Sequence, residues 1–226
     1  MSTATIIYGS EASVLRDFQS RSDDYLIKIY NQTKPVETFN TSSCTIENFD
    51  KTLVAVSKDQ SITKLRFIGA GFLNQSNYFI AENNHSIDMQ IDTNISNYVK
   101  IASILLPFMV KHKYGRIVYL SSIRAETGGI GTSIYSASKA FGERFFSTLG
   151  QEYGKLGISA TAIRMGFFES NMIDDYDSEK RKSILKSISN NKLGQQKDLT
   201  EAIHFCFNNN YLNGGKIDLN GGLTYG

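Results

Sequence analysis

The sequence predicts a single α/β domain spanning 1–226, three layers deep, with a mostly parallel sheet between helices. Three observations carry that expectation. Short apolar runs alternate with longer helical stretches along the chain, the order that a parallel sheet covered on both faces requires. A length of 226 residues with 41% hydrophobic content is enough for one sizeable core. No repeat, low-complexity tract or Pro/Ser-rich linker divides the chain.

Taken in order, residues 5–8 form a short β-branched run, followed by a polar turn and a weak helix over 13–19. "YLIKIY" (25–30) reads as the second strand and "VETF" (36–39) as the third, with a helix over 46–56 after it. "KLRFIGAG" (64–71) ends a fourth strand in a glycine turn. Apolar spacing at Val99, Ala102, Leu105, Leu106 and Met109 predicts a long buried helix over 89–111. "GRIVYLSS" (115–122) is a strand, 135–153 a second long helix, and "SATAIRMG" (159–166) another strand. A charged amphipathic helix over 178–189, a helix over 199–207 and a last strand in "GGKIDLNGG" (214–222) complete the order.

One edge of this sheet is expected to be shortened. Only "NQTKP" (31–35) separates the second and third strand-like runs. A parallel crossover with its own helix needs at least about 10–12 residues. A hairpin or irregular return, with an antiparallel or missing third strand, suits that length better.

Composition excludes several function classes. Net charge is +2, and acids and bases are mixed along the chain, so nothing argues for nucleic acid or an anionic membrane as partner. The first apolar run, 6–8, is too short for a leader, and the longest, 104–110, contains Pro107 and is too short to span a bilayer. The chain therefore reads as a soluble cytoplasmic protein. Cys44 and Cys206 are far apart and read as reduced packing residues, while His85, His112 and His204 lack metal-ligand spacing, so no metal is expected.

Ligands on open parallel sheets bind beyond the carboxyl ends of the strands. Tyr8 to Ser10, Gly69 to Gly71, Ser121 with Ser122, and Met165 with Gly166 all fall at such ends. Tyr135 and Lys139 stand four apart, on one helix face. A free phenol has a pKa of about 10, too high for acid/base work at neutral pH. An ammonium about 4 Å away, at an effective dielectric of about 20, would favour the phenolate by roughly 4 kcal/mol. Taken alone, the pair also suits an ordinary helix surface.

The pair has company. Ser122 lies 13 residues before Tyr135, and Asn94 lies 28 residues before Ser122. This constellation resembles the short-chain dehydrogenase/reductase family, whose tetrad is Asn, Ser, Tyr and Lys in this order. The likeness is closest to its 3-oxoacyl-acyl-carrier-protein reductase branch, through "YSASKA", "MGFFESNM", "KLGQQKDLTEAI" and "KIDLNGG". The resemblance runs from about residue 65 to 226. It implies a Rossmann-like fold and an NADP- or NAD-dependent oxidoreductase interconverting a carbonyl and a secondary alcohol, on a small-molecule or carrier-bound substrate. It implies Tyr135 as acid/base, Lys139 lowering its pKa and holding the nicotinamide ribose, Ser122 orienting the carbonyl, and Asn94 maintaining a proton-relay water. It also implies cofactor contacts from Gly9, Ser10, Gly69 and Ala70, and from Gly166, Phe168 and Ser170, the last replacing a usual threonine. A homodimer or homotetramer built on the two long helices follows from the same likeness and from Phe141, Phe145, Phe146 and Leu149 on the second.

The N-terminal third departs from the family. Its first loop, T-G-x-x-x-G-x-G, is here Tyr8-Gly9-Ser10-Glu11-Ala12-Ser13-Val14-Leu15, so Ser13 and Leu15 replace glycines that let backbone amides approach a pyrophosphate. The Asn-Asn-Ala-Gly turn has become Ile68-Gly69-Ala70-Gly71. The acid that follows strand three in that branch is replaced within 41–43. No acid stands among Asn31, Gln32, Thr33 and Lys34 at the end of strand two, which leans toward NADP. These departures predict weak or altered dinucleotide binding. They also keep open the alternative of a cofactor-impaired, non-enzymatic family member acting as a subunit or binding module.

Overall fold

A computed structural model describes residues 2–9, 15, 18, 25–30, 41–71, 73, 78–170 and 177–223. Seven strands form one sheet: β1 (Ser2–Tyr8), β2 (Tyr25–Ile29), β3 (Thr41–Cys44), β4 (Ile62–Gly69), β5 (Gly115–Ser122), β6 (Ile158–Met165) and β7 (Lys216–Leu219), in the order β3-β2-β1-β4-β5-β6-β7. Every pairing between these strands is parallel. The order reverses between β1 and β4, which opens a crevice beyond their carboxyl ends, the usual ligand site on such sheets.

Alternate residues of each central strand feed two apolar layers. Ala4 and Ile6 of β1, Leu65 and Phe67 of β4, and Ile117 and Tyr119 of β5 face α1 (Phe49–Asp59), α3 (Asn97–His112) and α5 (Ser133–Tyr153). Ile7, Ile68, Val118, Leu120 and Ile163 face the other way, onto Leu199, Ile203, Cys206 and Phe207 of α7 (Gln196–Asn208). Both cysteines are free and buried. No helix among the described residues is long and apolar enough to cross a membrane.

The shortened edge needs correction. The third strand is not "VETF" but Thr41–Cys44, and it pairs parallel to β2, from Leu26 opposite Thr41 to Ile29 opposite Cys44. Residues 30–40 thus connect the two strands, long enough for a parallel return without a hairpin. Residues 36–39, and most of the helix expected over 13–19, lie outside the described residues. Moving the strand also moves the position after it. Residues 41–43 lie within β3, and the residue that follows is Thr45, uncharged like them.

The long helix over 89–111 proves to be compound. It runs as α2 (Asn84–Ile91), a π-helical turn (Asp92–Ser96) and α3, without a break in the chain's helical course. A π turn carries one extra residue and so rotates the downstream face by about 100° relative to a continuous α-helix. Within α3 the buried stripe is Tyr98, Ile101, Ala102, Leu105 and Met109, and Val99, expected inside, lies one residue's rotation off it and is 42% exposed. On α5 the apolar residues divide: Phe146 and Leu149 are core, and Phe141 stacks on the half-buried Phe145 at 5.4 Å.

Candidate active site

The ends of β1, β4 and β5 converge with α5 and the π turn. Gly9 sits at φ 75°, and a Cβ there would lie 2.7 Å from the carbonyl oxygen of Ala70; the Ala70 N–H in turn donates to the Tyr8 carbonyl at 3.0 Å. The two turns at the sheet's crevice are therefore pressed together, which only glycine at position 9 allows. Gly69 has a comparable reason. A Cβ on it would come closer than 3.0 Å to the Tyr98 ring, so the space that an asparagine would need at this position is taken by tyrosine.

Asn94 is fully buried within the π turn. Such turns expose backbone groups and recur at functional sites. Here the Tyr8 phenol donates to the Thr93 carbonyl at 3.1 Å and accepts from the Asn97 side-chain amide at 3.0 Å. The residue that opens the first loop thus anchors the turn that carries Asn94. Gly71 lies against the same group: a Cβ on it would meet Lys139 Nζ at 2.7 Å and Asn94 Oδ1 at 2.8 Å.

Ser122 ends β5, and its hydroxyl accepts from the Arg124 N–H at 3.2 Å and hydrogen-bonds the Tyr135 phenol. Tyr135 and Lys139 lie in the first two turns of α5. The lysine is buried, donates from Nζ to the Leu120 carbonyl at 2.6 Å, and stands over two rings, 5.0 Å from the centroid of Tyr119 and 5.6 Å from that of Tyr135. The electrostatics differ from the sequence expectation. Burial raises the Tyr135 phenol above its usual value, opposed by the hydrogen bond from Ser122 and the charge of Arg124. Burial also brings Lys139 down to about 7, with Glu143 opposing. The ammonium therefore lies over the phenol ring and bonds elsewhere, rather than being dedicated to the phenolate.

Gly166 joins the site through the sheet. Met165 pairs with Ser122, its carbonyl accepts from the Ile123 N–H at 2.9 Å, and Gly166 N–H donates to the Leu219 carbonyl at 3.0 Å. Phe168 is different: its side chain is core, packed on Gly194. Ser170 is half-buried beside residues 171–176, and Ser10, like 171–176, lies outside the described residues.

Sequence reasoning missed a polar hub behind the catalytic face. Arg164 on β6, 4% exposed, forks onto Glu143 of α5, with Nε 3.0 Å from Oε1 and Nη2 2.8 Å from Oε2. It also bonds Glu126 of α4 (Arg124–Thr127) and lies 3.8 Å from Asp218 of β7. Ser121 donates to Glu143 Oε1 at 2.6 Å, and Lys216 stands 3.8 Å from Oε2. The available signals were a charge inside the apolar run "TAIRM" and an acid one turn beyond Lys139.

With this geometry in hand, comparison with known proteins is decisive at the family level. The sequence pattern of the family described as short chain dehydrogenase matches residues 14–181. The chain belongs to the short-chain dehydrogenase family. Among curated relatives of this short-chain dehydrogenase, 3-oxoacyl-acyl-carrier-protein reductase FabG of Rickettsia bellii is 29% identical over 223 residues, 96% of this chain and 85% of that protein. The FabG of Haemophilus influenzae is 29% identical over 135 residues, but that stretch spans 59% of this chain and only 56% of the relative. A solved structure of ElxO with NADP bound superposes with a TM-score of 0.85 at 18% identity, covering 99% of each chain, a likeness of fold.

The described residues fit the nicotinamide-ribose half of a dinucleotide. The glycine at 71 lets Lys139 Nζ and Asn94 Oδ1 close against the turn at the crevice. One of the three ammonium donors is engaged by Leu120, which leaves others for ribose hydroxyls. At the pyrophosphate end, Leu15 does not crowd the crevice. It is buried in the apolar layer with Ile7, Phe18 and Ile68. Residues 10–14, which would cradle the phosphates, lie outside the described residues.

Proposed function

We propose that this short-chain dehydrogenase is an NAD(P)(H)-dependent oxidoreductase that interconverts a carbonyl and a secondary alcohol. The observation that carries the reading is the convergence of Ser122, Tyr135 and Lys139 with Asn94 around Gly71. A bound nicotinamide would supply or take up the hydride at the carbonyl carbon. Tyr135 gives its phenolic proton to the carbonyl oxygen during reduction, and Ser122 holds that oxygen and the phenol in line. Lys139 holds the ribose and offsets the charge left on the tyrosine. Asn94, beside the lysine, supports a proton path from the phenol to water. Burial raises the Tyr135 phenol, so reduction starts from the protonated form that it needs.

A small-molecule or carrier-bound carbonyl is the substrate class this reading takes, by analogy with the 3-oxoacyl-acyl-carrier-protein reductases it resembles.

Titrating NADPH and NADH, read by nicotinamide fluorescence, tests the reading directly. Saturable binding, weaker than low-micromolar and tighter for NADPH, is expected. No saturation with either nucleotide would leave the binding-module alternative, which the replaced glycines of the first loop favour. A homodimer or homotetramer built on α3 and α5 belongs to the same proposal. Light scattering at micromolar concentration is expected to give a multiple of the chain mass, and a monomer mass rejects it.

A further inference from the structure

We propose that Glu143 is a positioning residue for Lys139: its carboxylate, fixed by Ser121 and Arg164, supplies the negative charge that holds the lysine as an ammonium facing Tyr135. This inference rests on the acid/base roles given above.

Glu143 follows Lys139 by one turn of α5, so the two side chains share a helix face. The coupling between them acts through space. Buried charges interact across low-dielectric surroundings more strongly than exposed ones. The carboxylate is only 10% exposed and cannot swing away, because Ser121 holds Oε1 and the guanidinium fork of Arg164 holds both oxygens. Those anchors come from the strand ends that also carry Ser122 and Met165-Gly166. The hub therefore ties the serine, the Tyr/Lys helix and the glycine turn to one charged centre.

Charge balance gives the direction. Within the hub, the carboxylates of Glu126, Glu143 and Asp218 face the cations of Arg164 and Lys216. Around Lys139 itself stand Tyr135 and Glu143 from α5, Tyr119 from β5 and Asn94 from the π turn, with Arg124 of α4 beside Tyr135. Tyr98 of α3 lies behind Tyr119, its phenol raised well above the usual value by burial, with Tyr8 of β1 beyond it. Among these groups Glu143 alone brings negative charge to the lysine. Its loss also leaves the positive Arg164 less compensated, which acts in the same direction.

Glu143→Gln keeps the shape, and Arg164 retains Glu126 and Asp218 as partners. The primary readout needs no cofactor. The ε-carbon NMR signal of Lys139, assigned by its loss in Lys139→Met, is titrated in the ligand-free protein. In Glu143→Gln the midpoint is expected to fall by about half a pH unit or more, with Glu143→Asp close to wild type. Ser121→Ala, which keeps both charges but frees one carboxylate oxygen, is expected to move it less, in the same direction. It carries the test if the glutamine variant does not fold. In turnover assays with NADPH and a model ketone, the alkaline limb of kcat/KM should move down by the same amount. A folded Glu143→Gln or Ser121→Ala protein whose Lys139 midpoint stays at the wild-type value overturns the proposal. A midpoint that moves while the wild type shows no turnover upholds the coupling and rejects the oxidoreductase reading instead.

Discussion

Tyr135→Phe is expected to lower turnover by about 10²–10⁴-fold, the usual contribution of a positioned proton donor, while leaving the fold and nucleotide binding intact. The change removes one oxygen from a ring that is only partly buried at the site's edge. Ser122 loses the phenol as a partner but keeps the bond from the Arg124 N–H and is only half-buried. Lys139 keeps its bond to Leu120 and its place over Tyr119. The pH dependence distinguishes the chemistry from mere packing. Burial brings Lys139 to about 7, so the wild-type rate is expected to decline as the pH rises through that value and the ammonium is lost. The residual rate of Tyr135→Phe should lack that limb, because no phenol remains for the cation to assist. A Tyr135→Phe protein with near wild-type kcat sinks the assignment of Tyr135 as the acid.

Much of this architecture was legible because the central strands must be apolar on both faces. β4, β5 and β6 stand where their runs of Leu, Ile, Val and Phe put them, and the Tyr135/Lys139 pair lies on its helix as its spacing requires. The edge was not legible for the converse reason. β3 reads "TSSC", and only Cys44 of its four residues is buried, since an edge strand needs few apolar side chains. Its polar residues instead engage neighbours such as Tyr25, whose hydroxyl lies 2.8 Å from Ser42 Oγ, so the more apolar "VETF" drew the reading away. The π turn was likewise invisible to a periodicity that assumes 3.6 residues per turn. Asn94 lies within it. The charge state of Lys139 depends on burial by β5, α5 and the Gly71 turn together, and pair spacing carries no such information. Ser122 could be located from the sequence, but the hub behind it joins residues from five separate elements.

Gly142→Ala is expected to lower the melting temperature by several degrees and activity by more than the loss of folded protein explains. Helix propensity alone argues the other way, since alanine is preferred to glycine in a helix interior by about 1 kcal/mol. Packing opposes it. A Cβ on Gly142 would stand closer than 3.0 Å to Cζ and Oη of Tyr119. That ring has no room to yield: it is fully buried, with Phe146 at 5.2 Å and Tyr98 at 5.2 Å between centroids. Overpacking of a rigid core site costs about 1–3 kcal/mol, which outweighs the propensity gain over most of its range. A domain of this size loses roughly 2–4 °C for each kcal/mol. The functional part follows from what lies on the ring's other side. Lys139 Nζ rests 5.0 Å above Tyr119, so a ring pushed out of place moves the ammonium away from Tyr135. Thermal melts and kcat at a temperature where both proteins remain folded separate the two effects. Relief of both defects is expected in Tyr119→Ala/Gly142→Ala relative to the sum of the single changes, since the clash needs both partners. A Gly142→Ala protein that melts higher than wild type would show that the helix term wins and that Tyr119 has room to move.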